Sequence, residues 1–96
     1  MIKIKIADNY FKRLIGLMFK RDIDYGLMII LKYGFGIHTC FMFFTIDVYF
    51  LDENRIVIEK VRLKPWRYYK PSKKAKYVLE VKEKTLNLNI NEKFDF

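Results

Sequence analysis

Short apolar runs separated by turn-forming residues are the sequence feature that most restricts the fold of this chain. The clearest pair, residues 46–51 and 55–63, alternates well on both sides of the turn-forming cluster Asp52-Glu53-Asn54, which predicts a β-hairpin. Residues 27–31 and 77–81 are largely apolar runs with the length of buried strands. Together these segments predict a mainly β class.

The N-terminal segment predicts one strand followed by one helix. Ile2, Ile4 and Ile6 lie two residues apart, which indicates a strand that ends near Ala7. Apolar residues then recur at three- and four-residue spacing, which predicts a short amphipathic helix over about residues 9–18. No other segment of the sequence predicts a helix as clearly.

Three segments in the middle and at the end of the chain complete the predicted architecture. Residues 37–44 predict a strand with His38 and Cys40 on the same face, residues 65–72 contain both prolines and predict a loop, and residues 94–96 predict a last short strand. Six to seven short strands with one short N-terminal helix fit a small sandwich or a partly closed barrel.

Size and composition predict a single domain without a cofactor. A chain of 96 residues supports one hydrophobic core, so residues 1–96 are expected to form one domain. Cys40 is the single cysteine and His38 the single histidine, so neither an intramolecular disulfide nor a metal site is predicted. The start of the chain lacks the apolar stretch of a secretory signal. We expect a cytoplasmic protein without a membrane span.

The formal net charge of +8 admits nucleic acid as a partner, because lysine-rich surfaces attract phosphates. Segment 60–76 carries eight basic residues and no acidic residue, interleaved with three aromatic residues. This arrangement is typical of proteins that stack unpaired bases on aromatic rings. Abundant lysine and isoleucine favour instead compositional drift in an AT-rich genome and a solvated basic loop, in which case much of the charge has no function. The candidate nucleic-acid residues are Lys64, Trp66, Arg67, Tyr68, Tyr69, Lys70, Lys73 and Lys74.

Several ordered sequence blocks resemble one known family. Residues 16–18 (Gly-Leu-Met), 26–28 (Gly-Leu-Met), 37–52, 65–67 (Pro-Trp-Arg) and 75–80 are similar to successive blocks of the family called domain of unknown function 192, in its variant with a Pro-Trp-Arg loop. The resemblance covers nearly the whole chain. It implies a small barrel-like or sandwich-like β domain with one short helix, found in bacteria and archaea, without an established activity.

Asp47 is the polar residue that most needs an explanation, because it interrupts an otherwise apolar strand and a buried carboxylate requires a partner. His38, Arg67 or Arg21 are the expected partners. One interpretation is a structural ion pair that pins the 65–67 loop onto the sheet. The other is a small polar pocket in which the Trp66 ring forms a stacking wall and Arg67 anchors an anion. The candidate ligand-binding residues are His38, Asp47, Trp66, Arg67 and Glu80.

Three functions remain open from the sequence. The favoured hypothesis is a non-catalytic β domain that binds a small ligand or a protein partner through the 65–67 loop and the strand bearing His38. The alternative is a basic module that binds single-stranded nucleic acid. The third is a hydrolase-like enzyme that uses Asp47 and His38 as acid and base. His38 and Cys40 are too far apart on one strand face for a direct nucleophile–base pair, so we expect Cys40 to be structural.

Overall fold

A five-stranded sheet forms the centre of the fold. The computed structural model describes residues 2–7, 16–31 and 36–96. The strands in these ranges are β1 (Lys3–Ala7), β2 (Tyr25–Ile30), β3 (Ile37–His38), β4 (Ile46–Leu51), β5 (Val57–Leu63), β6 (Tyr68–Tyr69) and β7 (Tyr77–Lys82). The sheet has the order β1-β2-β7-β4-β5, with β1 and β2 parallel and every other pair antiparallel. A second, two-stranded sheet joins β3 and β6.

Both faces of the large sheet are covered, which is why every residue of β4 is buried. On the first face Val48 and Phe50 belong to a core with Ile37 of β3, and Tyr69 of β6 packs against this core. On the second face, Tyr49 and its neighbours pack with Leu88 and other apolar residues of the C-terminal segment. The fold is therefore layered, with the β3–β6 sheet on one side and the C-terminal segment on the other.

The predicted β class, the strand number and the central hairpin are confirmed. In the hairpin turn, Oδ1 of Asp52 accepts hydrogen bonds from the backbone N–H of Asn54 (2.8 Å) and of Ile56 (3.0 Å). Arg55 adopts a left-handed backbone conformation, with φ of 64°. The carboxylate thus satisfies the backbone donors that the tight turn leaves without a ladder partner.

The prediction of one strand over residues 37–44 is wrong beyond His38. The chain turns at residues 40–41, with Phe41 at φ of 62° and the N–H of Met42 donating to the carbonyl oxygen of Thr39 (3.2 Å). The cause is non-local, because the backbone and hydroxyl groups of Thr39 bond to residues 64–67 rather than to a neighbouring strand. The predicted grouping of His38 and Cys40 on one strand face is lost with that strand.

Three smaller predictions are corrected or left open. The predicted 65–72 loop contains the short strand β6, and residues 94–96 form no strand, although Lys93 makes an isolated bridge to Ile56. The described strands do not close into a barrel, because β1 and β5 are the two edges of the sheet. Most of the helix predicted over about residues 9–18 lies outside the described residues, and its described end, residues 16–18, is part of a turn region.

The described segments contain no helix that is long and apolar enough to cross a bilayer.

Candidate functional site

The large sheet separates Asp47 from two of the residues that the sequence grouped with it in one pocket, His38 and Glu80. Asp47 pairs across β4 and β7 with Val81, and the next residue, Val48, pairs with Glu80. Paired residues share a face of a sheet and neighbours along a strand alternate, so Asp47 points to the second face and Glu80 to the first. His38 belongs to β3, which packs on the first face. Asp47 and His38 are therefore on opposite sides of the sheet.

Asp47 is paired with Arg62, not with any of the three partners expected from the sequence. Arg62 donates from Nε to Oδ1 (2.7 Å) and from Nη2 to Oδ2 (3.2 Å), and the backbone N–H of Lys84 donates to Oδ2 (2.8 Å). Burial raises the pKa of Asp47, but these hydrogen bonds outweigh burial and hold the pKa below its ordinary value. The ion pair thus fastens the turn after β7, rather than the 65–67 loop, to the sheet.

Glu80 is enclosed in the apolar first face. It lies between Leu27 of β2 and Val48 of β4 and is 4% exposed. Burial raises the pKa of Glu80 to about 8. At neutral pH this side chain is therefore mostly protonated and uncharged, and it does not share a site with Asp47.

A cleft of about 290 Å³ lies beside the Asp47–Arg62 pair. It is lined by Tyr49, Lys60 and Leu86 among other residues. Four of its polar side chains, those of Asp47, Arg62, Tyr49 and Lys60, have hydrogen-bond partners within the protein. The Tyr49 hydroxyl donates to the carbonyl oxygen of Leu86 (2.9 Å), and Nζ of Lys60 donates to a neighbouring carbonyl oxygen (3.1 Å). The cleft therefore offers a ligand few free polar groups.

Thr39 holds the 64–67 loop in place. Its hydroxyl donates to the carbonyl oxygen of Lys64 (2.7 Å) and accepts from the backbone N–H of Arg67 (2.7 Å). Its backbone N–H donates to the carbonyl oxygen of Arg67 (2.7 Å), and its carbonyl oxygen accepts from the N–H of Trp66 (2.9 Å). Thr39 is fully buried. The loop is thus fixed by buried hydrogen bonds, while the Trp66 side chain is exposed.

His38 and Cys40 have local structural roles. The Nδ1 atom of His38 accepts a hydrogen bond from the backbone N–H of Cys40 (3.2 Å). This contact supports the turn at residues 40–41, and it does not join the ring to the Cys40 thiol. The described residues contain no group of three or more His, Cys, Asp or Glu side chains placed to bind a metal ion.

Three exposed aromatic residues form a continuous surface that we call the aromatic platform: Phe19, Phe41 and Trp66. The ring centroids of Phe19 and Phe41 are 5.2 Å apart, and those of Phe41 and Trp66 are 4.7 Å apart. The three residues are 62%, 43% and 56% exposed, respectively. A backbone hydrogen bond from the N–H of Phe19 to the carbonyl oxygen of Phe41 (2.9 Å) joins the two turns that carry these rings.

All three platform residues have the left-handed backbone conformation, with φ of 64° for Phe19, 62° for Phe41 and 64° for Trp66. This conformation costs a residue with a side chain about 1–2 kcal/mol relative to the right-handed one. Glycine or asparagine relieves the cost, yet the sequence has a large aromatic residue at each position. The three rings are therefore exposed to solvent on a backbone conformation that is unfavourable for residues of this type.

Four cations flank the platform. Lys20 and Arg21 follow Phe19 in the chain, and Lys64 and Arg67 lie on either side of Trp66. All four are exposed, and none forms an ion pair with a carboxylate of the described residues. The Arg67 guanidinium donates weakly to the carbonyl oxygens of residues 65 and 66 (3.4 Å each). The platform is thus a row of rings whose end residues, Phe19 and Trp66, are followed or flanked in the chain by exposed cations that have no ion pair among the described residues.

The remaining residues of the predicted nucleic-acid set divide into exposed and inward-facing members. Tyr68 is 69% exposed, and Lys70, Lys73 and Lys74 are exposed on the following loop. Tyr69 is turned inward, with its ring centroid 5.7 Å from that of Phe50 and its hydroxyl donating to a Glu59 carboxylate oxygen. Tyr69 therefore holds β6 against the sheet and is not part of the exposed surface.

Sequence reasoning found Trp66 and Arg67 but missed Phe19 and Phe41. An aromatic residue inside an apolar segment indicates core, and the strand predicted over residues 37–44 placed Phe41 on a covered face. Only the polar pair Lys20-Arg21, directly after Phe19, signalled that the chain reaches the surface there.

Comparison with known proteins identifies the family. The DUF192 family model, described as "Uncharacterized ACR", matches residues 1–93. A UPF0127 protein of Thermococcus sibiricus is 44% identical over 82 residues, which cover 81% of this chain and 53% of that protein. A UPF0127 protein of Pyrococcus horikoshii is also 44% identical over 82 residues, covering 81% of this chain and 70% of that protein. The chain thus spans about half the length of the first relative and more of the second.

Two crystal structures share the fold. A protein of unknown function from Novosphingobium aromaticivorans superimposes with a TM-score of 0.76 at 16% identity, covering 84% of this chain and 63% of that one. A Sinorhizobium meliloti protein described as a "putative transcription regulator" gives a TM-score of 0.76 at 17% identity, covering 82% of this chain and 67% of that one. At these identities the likeness concerns the fold alone. With a family model that matches nearly its whole length and relatives at 44% identity, this chain belongs to the DUF192 (UPF0127) family.

Proposed function

We propose that this chain is a non-catalytic binding domain whose partner contacts the aromatic platform of Phe19, Phe41 and Trp66. The observation that carries the proposal is the left-handed backbone at all three exposed rings. Strained residues of this kind persist where the surrounding structure holds them, and they are concentrated at functional sites. The hydrogen bonds of Thr39 provide that support for Trp66.

The shape of the platform favours a partner that lies across the surface. Small-molecule sites are concave and enclose most of the ligand. The platform residues are instead 43% to 62% exposed, and in the cleft beside Asp47 the Tyr49 hydroxyl and the Lys60 ammonium are bonded to backbone carbonyl oxygens. A protein surface or a polymer suits such a row of rings better than an enclosed metabolite does.

The arrangement of titratable groups favours binding over catalysis. Asp47 and His38, the acid and base of the enzymatic hypothesis, lie on opposite sides of the sheet. Both carboxylate oxygens of Asp47 are held by Arg62, and Nδ1 of His38 is held by the Cys40 backbone. General acid–base catalysis requires both groups within reach of one substrate, which this arrangement does not provide.

The first test measures how much the left-handed backbone of the platform residues lowers the free energy of unfolding. Phe41→Gly and Trp66→Gly relieve the left-handed backbone, so we expect the free energy of unfolding to stay within about 0.5 kcal/mol or to rise by up to about 1 kcal/mol. Phe43→Gly is the matched control, because Phe43 is 60% exposed but lacks the left-handed conformation. It should lose about 1 kcal/mol. Losses above about 2 kcal/mol in both platform variants would contradict the proposal, because the rings would then serve the fold.

The second test measures binding at the platform. Trp66 is the only tryptophan of the chain, so its emission reports contact at this surface directly. Peptides, oligonucleotides and metabolites that raise the melting temperature are titrated against Trp66 emission. We expect Phe41→Ala to weaken such binding and Ile90→Ala, which removes a similarly exposed apolar side chain (44% against 43%), to leave it unchanged. Ligands that bind without changing Trp66 emission and tolerate Phe41→Ala would place the binding site elsewhere.

A further inference from the structure

We propose that the partner of the aromatic platform is single-stranded nucleic acid, with unpaired bases stacked on Phe41 and Trp66 and phosphates held by the flanking cations. This inference rests on the proposed platform and names its ligand class. Aromatic rings beside lysine and arginine bind single strands by stacking the bases while the cations follow the backbone.

The charge around the platform is complementary to a polyanion. In the chain, Lys20 and Arg21 directly follow Phe19, and Lys64 and Arg67 flank the Pro65-Trp66 turn, and all four are exposed. None of them is neutralised by a carboxylate of the described residues. Exposed cations therefore adjoin both end residues of the row of rings in the chain, and we assign the phosphates of a bound strand to them.

The structure also separates these cations from basic residues that serve the fold. Arg62, in the same basic segment, is paired with Asp47 on the second face of the sheet. Lys60 of the same strand donates to a backbone carbonyl oxygen beside that pair. Lys64 and Arg67 lie instead on the loop fixed by Thr39. The basic segment is thus divided, and the part beside the platform is free to meet a ligand.

The geometry of the rings suits unpaired bases. Phe41 is central, with centroid distances of 5.2 Å and 4.7 Å to its two neighbours, and the rings are inclined by 32° and 60°. A row of this size accommodates about two or three bases, as the exposed aromatics of RNA-binding sheets do. Bases inside a duplex are already stacked on one another, so the platform should discriminate between single and double strands.

A protein partner fits this surface less well. Lysine is depleted at the centre of protein–protein interfaces. Here Lys64 and Arg67 are the immediate neighbours of the Pro65-Trp66 turn, so a protein surface laid on the ring would have to cover a lysine and an arginine that have no ion pair among the described residues. Covering an unpaired charge is costly, whereas a phosphate compensates for it.

The test titrates the full chain with oligothymidylate and oligouridylate of about 12 nucleotides, following Trp66 emission and the anisotropy of labelled strands. We expect the emission to change on binding. The apparent affinity should fall as salt rises from about 50 to about 200 mM, with a log–log slope near −2 to −3 if three or four phosphates are contacted. The two oligonucleotides distinguish DNA from RNA as the source of the same chemistry.

Two variants with matched controls separate base stacking from non-specific attraction to phosphates. Phe41→Ala should weaken binding about 5- to 150-fold, the range for loss of stacking on one base, with Phe41→Leu as a second variant if the first does not fold. Ile90→Ala is the matched apolar control. The double variant Lys64→Gln, Arg67→Gln should reduce the salt slope by about 1.4, whereas Lys3→Gln, Lys93→Gln removes the same charge elsewhere and should change the slope less.

Each contrary outcome identifies what fails. Equal binding of a duplex, or equal losses in the charge variant and its control with no effect of Phe41→Ala, would leave only non-specific phosphate attraction and overturn the inference. If oligonucleotides do not change Trp66 emission but an acidic peptide or an anionic lipid vesicle does, and Phe41→Ala abolishes that change, the platform stands and its ligand class is wrong. If no probe depends on Phe41 or Trp66, the proposed function fails as well.

Discussion

Arg62 lies directly opposite Asp47 on neighbouring strands and donates to both of its carboxylate oxygens, at 2.7 and 3.2 Å. The same carboxylate accepts the backbone N–H of Lys84, so one side chain joins two strands of the sheet to the turn that follows β7. The pair explains how an acidic residue is accommodated in an otherwise apolar strand.

Replacing Asp47 with Asn should destabilise the fold. The substitution keeps the shape but removes the charge that Arg62 and Lys84 hold, and we expect a loss of about 1–2 kcal/mol at pH 7, because Arg62 is half exposed and its contribution is screened by solvent. The measurement is urea unfolding of both proteins. Glu53→Gln, in the exposed hairpin turn, is the control and should change little.

The pH dependence of this loss in stability follows from the direction in which folding shifts the pKa of Asp47. The folded-state pKa of Asp47 is below its ordinary value of 3.8, so the stabilisation is fully present above that value and is lost as the pH falls through the folded-state pKa. The difference between the two proteins should therefore shrink well below pH 3.8. If the difference in unfolding free energy stayed constant down to the lowest pH at which both proteins fold, the charge of Asp47 would contribute nothing to stability.

Glu80 predicts the opposite pH dependence. Burial raises its pKa to about 8 from an ordinary value of 4.5, so the folded state binds a proton that the unfolded state releases between these values. The contribution of Glu80 to the free energy of unfolding should be greatest below about pH 4.5 and should fall as the pH rises towards 8. The total loss over this pH range should be on the order of several kcal/mol.

Glu80→Gln removes the titration and keeps the shape of the side chain. We expect the variant and the unaltered protein to have similar unfolding free energies near pH 5, and the variant to be more stable by several kcal/mol near pH 9. Unfolding in urea at a series of pH values measures this directly. Parallel pH profiles of the two proteins would show that Glu80 ionises in the folded state as it does in the unfolded chain.

Local sequence patterns were sufficient to predict the five strands of the large sheet but not their register. The apolar runs around β4 and β7 gave both strands, and the Asp52 cluster gave the hairpin turn. Whether Asp47 and Glu80 share a face depends on which residues pair across the sheet, and a shift by one residue moves a side chain to the other face. Register is set by contacts distant in sequence, so the sequence could not show that Asp47, opposite Val81, lies on the other face of the sheet from Glu80.

The aromatic platform was hidden for a different reason. A left-handed conformation can be anticipated at glycine or asparagine, but no local pattern predicts it at phenylalanine or tryptophan. Phe41 adopts it in a turn whose neighbour, Thr39, is bonded to residues 64–67, and Phe19 is bonded to Phe41. Both contacts join parts of the chain that are far apart in sequence. The sequence therefore indicated the basic loop around Trp66 but not the rings beside it.

Thr39→Val tests whether that loop positions the platform. Valine has the shape of threonine but lacks the hydroxyl, so the carbonyl oxygen of Lys64 and the N–H of Arg67 each lose a hydrogen-bond partner at a buried residue. We expect a loss of about 2–3 kcal/mol in unfolding free energy. Thr85→Val, at an exposed position after β7, is the matched control and should change stability by less than about 0.5 kcal/mol.

The same variant should also change the platform itself. Because the hydroxyl of Thr39 fixes the residues on both sides of Trp66, its removal should broaden the Trp66 emission and increase quenching by acrylamide in the folded protein, whereas Thr39→Ser, which keeps the hydroxyl, should restore both. A destabilised Thr39→Val protein with unchanged Trp66 emission would show that the backbone hydrogen bonds between Thr39 and the loop are enough to hold the ring.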